Sequence, residues 1–358
     1  MEEEEMTMKL EITRRGLLAG AAAIGLTGIP GTASAQAPAR ITPELIAAAQ
    51  KEGKVVIYTS VEVQIAEKLA KAFEAKYPGI KAQVERSGSE RILQRLTQEY
   101  SSRIYAADVV TTSDAAHFVN WKKEGILAPF MTEDVARHFP KDQVDADGAY
   151  LPFRASLSVI AYNTRLVKPE EAPTSFADLL DPKWNGRLVK AHPSYSGTIL
   201  TATFQMSRDL GWDYFDKLAK QKVMQVQSAT EPPKKLAQGE RRVMVDGNEY
   251  LCIQMKADGA PIEIVYAKEG SPMVVSPQAV LKNAPNPNAA RLYQAWIHTT
   301  EGQQLVVDVG GMRSFHAQVK EPANRKALKD IKIMKEDAAA VATQVEKIKE
   351  QYTKYFGT

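Results

Sequence analysis

The sequence predicts an α/β protein made of two sheet-and-helix lobes with hinge strands between them. Three observations carry that expectation. Short β-rich runs alternate with longer helical runs over residues 54–121, the alternation restarts at residue 187, and strand-like segments at 151–164 and 273–281 lie where the chain would cross between the two series. Alternation of this kind builds a parallel sheet covered by helices on both faces.

Taken in order, residues 54–60 are a largely apolar run that reads as a buried strand. Residues 63–77 place Ile65, Leu69, Phe73 and Tyr77 four apart, the spacing of one helix face. Residues 81–87 alternate as a strand, 89–103 follow as a helix opened by Ser89, and 108–112 form a third strand. Ser113 and Asp114 then open a helix through Trp121. The segment 151–164, with Pro152 early in it, carries the chain toward a second lobe. That lobe is expected to hold strands at 187–191, 223–227, 242–245 and 262–268, with helices beginning near Gly197 and Asn248. Residues 273–281 bring the chain back, 288–309 read as one amphipathic helix, and 337–355 as a charged terminal helix. The expected organisation is therefore a first lobe over 36–152 completed by 277–315, a second over 153–276, and C-terminal helices over 316–358. No period of 20–50 residues repeats, which argues against solenoids and propellers.

Composition excludes several classes. The chain has 358 residues, 44% hydrophobic and 25% charged, with a formal charge of +3, so it is neither wholly disordered nor a multi-span membrane protein. One cysteine rules out an internal disulfide framework or a zinc site built from several thiolates. Weak basicity with 8% aromatics gives no electrostatic case for nucleic acid as a partner.

The first 35 residues read as an export signal. Arg14 and Arg15 precede a short apolar stretch at 17–29, and Ala33-Ser34-Ala35 supplies a small-x-small cleavage site. The paired arginines resemble a twin-arginine signal, with an ordinary Sec signal as the alternative. The acidic run Glu2 to Glu5 is foreign to such a signal and points to translation from Met6 or Met8. Cleavage after Ala35 removes three basic and five acidic residues and raises the formal charge from +3 to +5. A periplasmic location is expected, where the lone Cys252 has no partner to oxidise with.

In open α/β sheets ligands bind beyond the carboxyl ends of the strands, where helices begin. That rule nominates Thr59, Ser60 and Glu62 after the first strand, then Ser87, Gly88, Ser89 and Arg91, then Thr112, Ser113 and Asp114. In the second lobe it nominates Ser194-Tyr195-Ser196-Gly197-Thr198, and then Asn248, Glu249 and Tyr250. The first of these groups precedes a largely apolar helix, whose free N–H groups and dipole favour an anion. A plain helix cap uses the same residue types. Arg154, in the crossover segment, either clamps a carboxylate or phosphate or forms a hinge salt bridge. Tyr195 and Tyr250 open two helices and offer stacking faces or phenolic oxygens.

No nucleophile elbow, zincin motif or Walker A loop occurs, and the five histidines show no metal-ligand spacing. His117 and His298 read as packing or surface residues, Cys252 as a small core residue, and Glu231 to Lys235 as a helix start with solvated charges.

The chain resembles the periplasmic substrate-binding proteins of ABC importers, in particular the ferric-binding type of bilobal receptor. The resemblance spans about residues 45–315. It is carried by residues 55–58 and 107–110, by Asp181 to Arg187, by Ser196-Gly197-Thr198 and by Thr300 to Gln303. It implies a type II periplasmic-binding-protein-like fold, monomeric, without catalytic activity or a cofactor, whose partners are a small ligand and an inner-membrane permease. Ser196, Gly197 and Thr198 would then hold an anion. The family's ferric members carry two adjacent tyrosines after an asparagine, whereas this chain has Tyr250 followed by Leu251. A small organic acid or phosphate ester is therefore the expected ligand. The alternative is ferric iron with a synergistic anion, held by Glu62, Asp114, Glu249 and Tyr250.

Overall fold

The computed structural model describes residues 37–323 and 325–357. The expected export signal at 1–35 lies outside the described residues. Along the chain the elements are α1 (Pro43–Glu52), β1 (Lys54–Thr59), α2 (Val63–Lys76), β2 (Lys81–Arg86), α3 (Ser89–Ser101), β3 (Val109–Thr111), α4 (Ala115–Lys123), β4 (Leu127–Ala128) and α5 (Glu133–His138). The crossover strands β5 (Leu151–Leu157) and β6 (Ile160–Asn163) follow, then β7 (Leu188–Ala191), α6 (Gly197–Leu210), α7 (Trp212–Ala219), β8 (Met224–Val226) and α8 (Glu231–Ala237). The remainder is β9 (Val243–Met244), α9 (Glu249–Ala257), β10 (Ile262–Val265), β11 (Ser271–Leu281), α10 (Pro287–Ile297), α11 (Thr300–Asp308), β12 (Ile333–Met334) and α12 (Ala338–Phe356).

Two sheets result. The first runs β12-β11-β3-β1-β2, with β4 and β5 also paired to β11, and the second runs β10-β6-β9-β7-β8. Within the first, β1, β2 and β3 are parallel, and the returning β11 is antiparallel to β3, β4 and β5. Within the second, β7 is parallel to β8 and β9, and β6 is antiparallel to β9 and β10. The two-lobed α/β architecture is thus the observed one, with mixed rather than purely parallel sheets. The long β5–β11 pair connects the lobes, and its register shifts between Ser276 and Pro277, because proline cannot donate to the ladder.

The local chemistry explains the elements. Thr42 caps α1 by accepting from the Leu45 N–H, and Pro43 sits at its first turn, where no N–H is needed. Ile65, Leu69 and Phe73 of α2 are buried as their period requires, and Phe73 packs on Tyr293 and Trp296 of α10. Side chains of this size contribute roughly 1.5–3 kcal/mol each on full burial. Trp184, Phe176 and Phe215 occupy the corresponding core of the second lobe.

Two helical expectations are corrected. Residues 288–309 are two helices, because Thr299 ends one and caps the next by accepting from the Gly302 N–H. A Cβ at Gly302 would lie 2.3 Å from the Trp296 carbonyl oxygen, so the sharp joint depends on glycine. Among its described residues the segment 316–358 holds a single α-helix, α12, preceded by irregular chain and the short strand β12. Asp337 caps α12 by accepting from the Ala340 N–H. The helix packs against α4 of the first lobe and α6 and α7 of the second. Among the described residues no helix is long and apolar enough to cross a membrane.

Candidate functional site

The starts of α3, α6 and α9 converge on one cleft between the two sheets. Its walls include Ser60, Arg86, Gly88, Ser89 and Ser113 from the first lobe, and Tyr195, Ser196, Thr198, Asn248 and Tyr250 from the second. Arg154 on β5 forms the floor, and Ser228, Ala229 and Thr230 complete the second-lobe side. The cleft itself is narrow, with about 10 Å³ of cavity. An outer chamber of about 90 Å³ adjoins it, sharing Arg86, Gly88, Tyr195 and Ser228 and adding Arg91, Gln227 and Glu231.

Arg154 dominates the electrostatics. It is 2% exposed, its Nη1 donates to Ser156 Oγ at 2.5 Å, and its Nε finds no partner among the described residues. Burial pulls its pKa down, and no ion pair to a carboxylate is formed among the described residues. The hinge salt bridge is therefore not what the structure shows. The guanidinium instead stands 5.5 Å from the centre of the Tyr250 ring. Burial raises the Tyr250 pKa, opposed by Arg154 and Arg86, so the phenol stays protonated and able to donate. Ser60 Oγ and Asn248 Oδ1 are also buried without partners among the described residues. A buried cation without a counter-charge is costly, and here hydroxyls and helix N-termini surround it.

Ser196 caps α6, accepting from the Ile199 N–H at 3.5 Å, which leaves the N–H groups of the first turn turned outward. Gly197 does not itself line the cleft. A Cβ there would lie 2.5 Å from Asp114 Cβ, so glycine is what allows α6 to approach α4 across the lobes. Ser89 and Ser113 share a hydroxyl–hydroxyl hydrogen bond of 2.9 Å. Three polar contacts span the mouth: Lys234 with Glu62 at 2.9 Å, Arg86 with Ser228 at 3.3 Å and Arg91 with Gln227 at 3.0 Å. The cleft is in its closed arrangement.

Several nominated residues lie elsewhere. Thr59 Oγ1 accepts from the Val61 N–H and borders an interior cavity of the first lobe. Ser87 donates its N–H to the Thr59 carbonyl, and Ser194 donates its N–H to His192 Nδ1. Glu62 is held by Lys234, which outweighs burial and lowers its pKa, so the charges at the start of α8 are not simply solvated. Asp114 is fully buried behind the cleft, where it caps α4 by accepting from the Ala116 N–H. Glu249 accepts two hydrogen bonds from Arg313, at 2.9 and 2.7 Å, and others from Arg325 and Tyr266. Burial alone would raise its pKa, but these partners lower it. Of the four candidate ferric donors, only Tyr250 faces the cleft. His117 is no plain packing residue either: it joins Glu90 and Asp114 in a buried charged cluster. Cys252 is a core residue, as expected.

Arg86, Ser228 and Thr230 were not nominated. Arg86 is the last residue of β2, and 228–230 begin two residues after the end of β8, so the strand-end rule reaches both once those strand ends are drawn.

Residues 105–337 match the family described as bacterial extracellular solute-binding protein. A curated relative of 26% identity, an uncharacterised protein of Haemophilus influenzae, aligns over 72% of this chain and 76% of its own length. Iron uptake protein A1 of Synechocystis is 30% identical over 39% of this chain and 38% of its own. Among solved structures, the periplasmic binding protein AfuA of Actinobacillus pleuropneumoniae with fructose-6-phosphate bound superposes with a TM-score of 0.78 at 24% identity, covering 85% of this chain and 99% of that one. Iron-bound HitA of Pseudomonas aeruginosa gives 0.72 at 22%, covering 84% and 99%. With a family match over most of its length, this chain belongs to the bacterial extracellular solute-binding proteins.

Proposed function

We propose that the protein is the periplasmic receptor of an ABC importer and captures a small phosphate-bearing organic anion between its lobes. The observation that carries this reading is Arg154, a guanidinium buried at the floor of the cleft with no carboxylate partner among the described residues. An oxyanion placed there would be bound by Arg154, by N–H groups at the start of α6 and by the hydroxyls of Ser60, Ser89, Ser113 and Thr198. The outer chamber supports an ester over a bare oxyanion, because Tyr195, Gln227 and Ser228 offer an aromatic edge and neutral polar groups to an uncharged body. The fructose-6-phosphate named with AfuA is a ligand of this kind.

The receptor would perform no bond chemistry: lobe closure reports occupancy to an inner-membrane permease, and export through the signal at 1–35 delivers the chain to the periplasm. The curated relative named a probable ABC transporter periplasmic-binding protein agrees with that placement. Ferric iron, the cargo implied by the names of other relatives, has weaker support. Glu62 and Glu249 are bound to basic side chains and Asp114 lies behind the cleft. A thermal-shift screen of organic acids, phosphate esters and ferric citrate tests the reading. Stabilisation by phosphate esters is expected, and stabilisation by ferric citrate alone overturns it.

A further inference from the structure

Behind the two first-lobe serines, three buried ionisable side chains sit together with a fourth, Lys349, that is partly exposed. Glu90 follows Ser89 at the start of α3, and Asp114 follows Ser113 ahead of α4. His117 Nε2 lies 3.0 Å from Glu90 Oε1 and 3.5 Å from Asp114 Oδ2. Lys349 of α12 donates to the other Glu90 oxygen at 2.9 Å. Glu90, Asp114 and His117 are all buried, and Asp114 Oδ2 has no hydrogen-bond partner among the described residues. Burial disfavours a charged imidazole, but Asp114 and Glu90 outweigh it and raise the His117 pKa. Thr112 Oγ1 stands 3.4 Å from the other ring nitrogen, and Trp121 packs on the ring.

Two carboxylates directly behind an anion cleft are a liability. Their charge opposes the ligand unless it is cancelled on the spot, since a low-dielectric interior screens poorly. Burial opposes the charge on Glu90, but His117 and Lys349 outweigh it and lower the Glu90 pKa, while burial raises that of Asp114; Lys349 also reaches the exposed Glu346 at 3.5 Å. Lys349 comes from a helix seated on both lobes: Val341 and Ile348 pack with Ala116 of α4 and with Leu200 and Phe204 of α6. Tyr352 of the same helix donates to Gln225 and stands edge-on to His192, 4.8 Å between ring centres.

We propose that Lys349 is a positioning residue for anion capture: by neutralising Glu90 from the C-terminal helix, it keeps the Ser89 and Ser113 loops receptive to a negative ligand and ties them to the second lobe. The proposal rests on the anion-receptor reading above. It makes a charge outside the cleft, more than 80 residues from any cleft residue in sequence, part of the affinity for the ligand.

The test is calorimetric titration with fructose 6-phosphate of four proteins: wild type, Lys349→Met, Lys349→Arg and Lys349→Met with Glu90→Gln. Lys349→Met is expected to weaken binding about tenfold or more, in the range of couplings carried by charged networks. Lys349→Arg should restore it. The double variant should regain most of the loss, because the unpaired carboxylate is then gone. A helix needed only for folding would give no such recovery, and melting of each variant in the absence of ligand reports its folding separately. Affinity within twofold of wild type in Lys349→Met, or a double variant no better than the single, overturns the proposal while leaving the receptor reading intact if Arg154→Met still abolishes binding. A wild type that binds no phosphate ester overturns both.

Discussion

Replacing Arg154 by methionine separates a ligand clamp from a structural cation, because the two roles give opposite signs in the free protein. Methionine keeps the length and apolar stem of the side chain and removes the charge. The free protein is then relieved of a buried ion with no counter-charge, a change that is typically neutral or stabilising by about 1–4 kcal/mol. Against this stand the hydrogen bond to Ser156, about 1 kcal/mol, and the contact with the Tyr250 ring, about 0.5–1 kcal/mol. The sum runs from a loss of about 2 kcal/mol to a gain of about 2.5 kcal/mol. Ligand binding moves the other way. Removing one partner of a buried charge pair costs about 2–5 kcal/mol, which lowers affinity by about thirtyfold to several thousandfold. Calorimetric titration with fructose 6-phosphate and chemical denaturation of the unliganded protein supply the two numbers. A variant that binds normally, or one whose unliganded form loses several kcal/mol, refutes the reasoning.

Three other perturbations follow from the same geometry. Gly197→Ala places a Cβ where it would meet Asp114 Cβ at 2.5 Å, so closure should be impaired: weaker ligand binding and a larger radius of gyration by X-ray scattering, with unchanged circular dichroism. Glu249→Ala leaves Arg313 and Arg325 buried without their carboxylate, and urea denaturation should show a loss of about 3–5 kcal/mol. His298 is buried with its pKa pushed down to about 4, so the folded state resists its protonation. The stability it contributes is present above pH 6.5 and is lost as pH falls toward 4, up to about 3 kcal/mol. His298→Gln should flatten that part of the stability profile, and an unchanged slope would show that other groups set it.

Much of this was legible in the sequence for a simple reason. The alternation of strands and helices is a local pattern, and the strand-end rule converts it into a place. Ser60, Ser89, Ser113, Ser196, Thr198, Asn248 and Tyr250 were found that way and line one cleft. Acidic residues were misread because their fates depend on partners far along the chain. Glu62 meets Lys234, and Glu249 meets Arg313 and Arg325. No local spacing announces such pairs. The joint at Thr299 carries a local signal: a threonine three residues before a glycine breaks the apolar period of 288–309. The two roles left open for Arg154 needed the structure, since an absent partner cannot be read from sequence.

The central claim is that the cleft is built for a phosphate-bearing anion, and one titration series of the wild-type protein tests it most directly. Fructose 6-phosphate, fructose, inorganic phosphate and ferric citrate are titrated in turn into protein freed of ligand by unfolding and refolding. Saturable binding of the ester, tighter than inorganic phosphate and with none to fructose, is the expected result. Ferric loading with a visible phenolate-to-iron band, and no heat with either phosphate, would contradict the account.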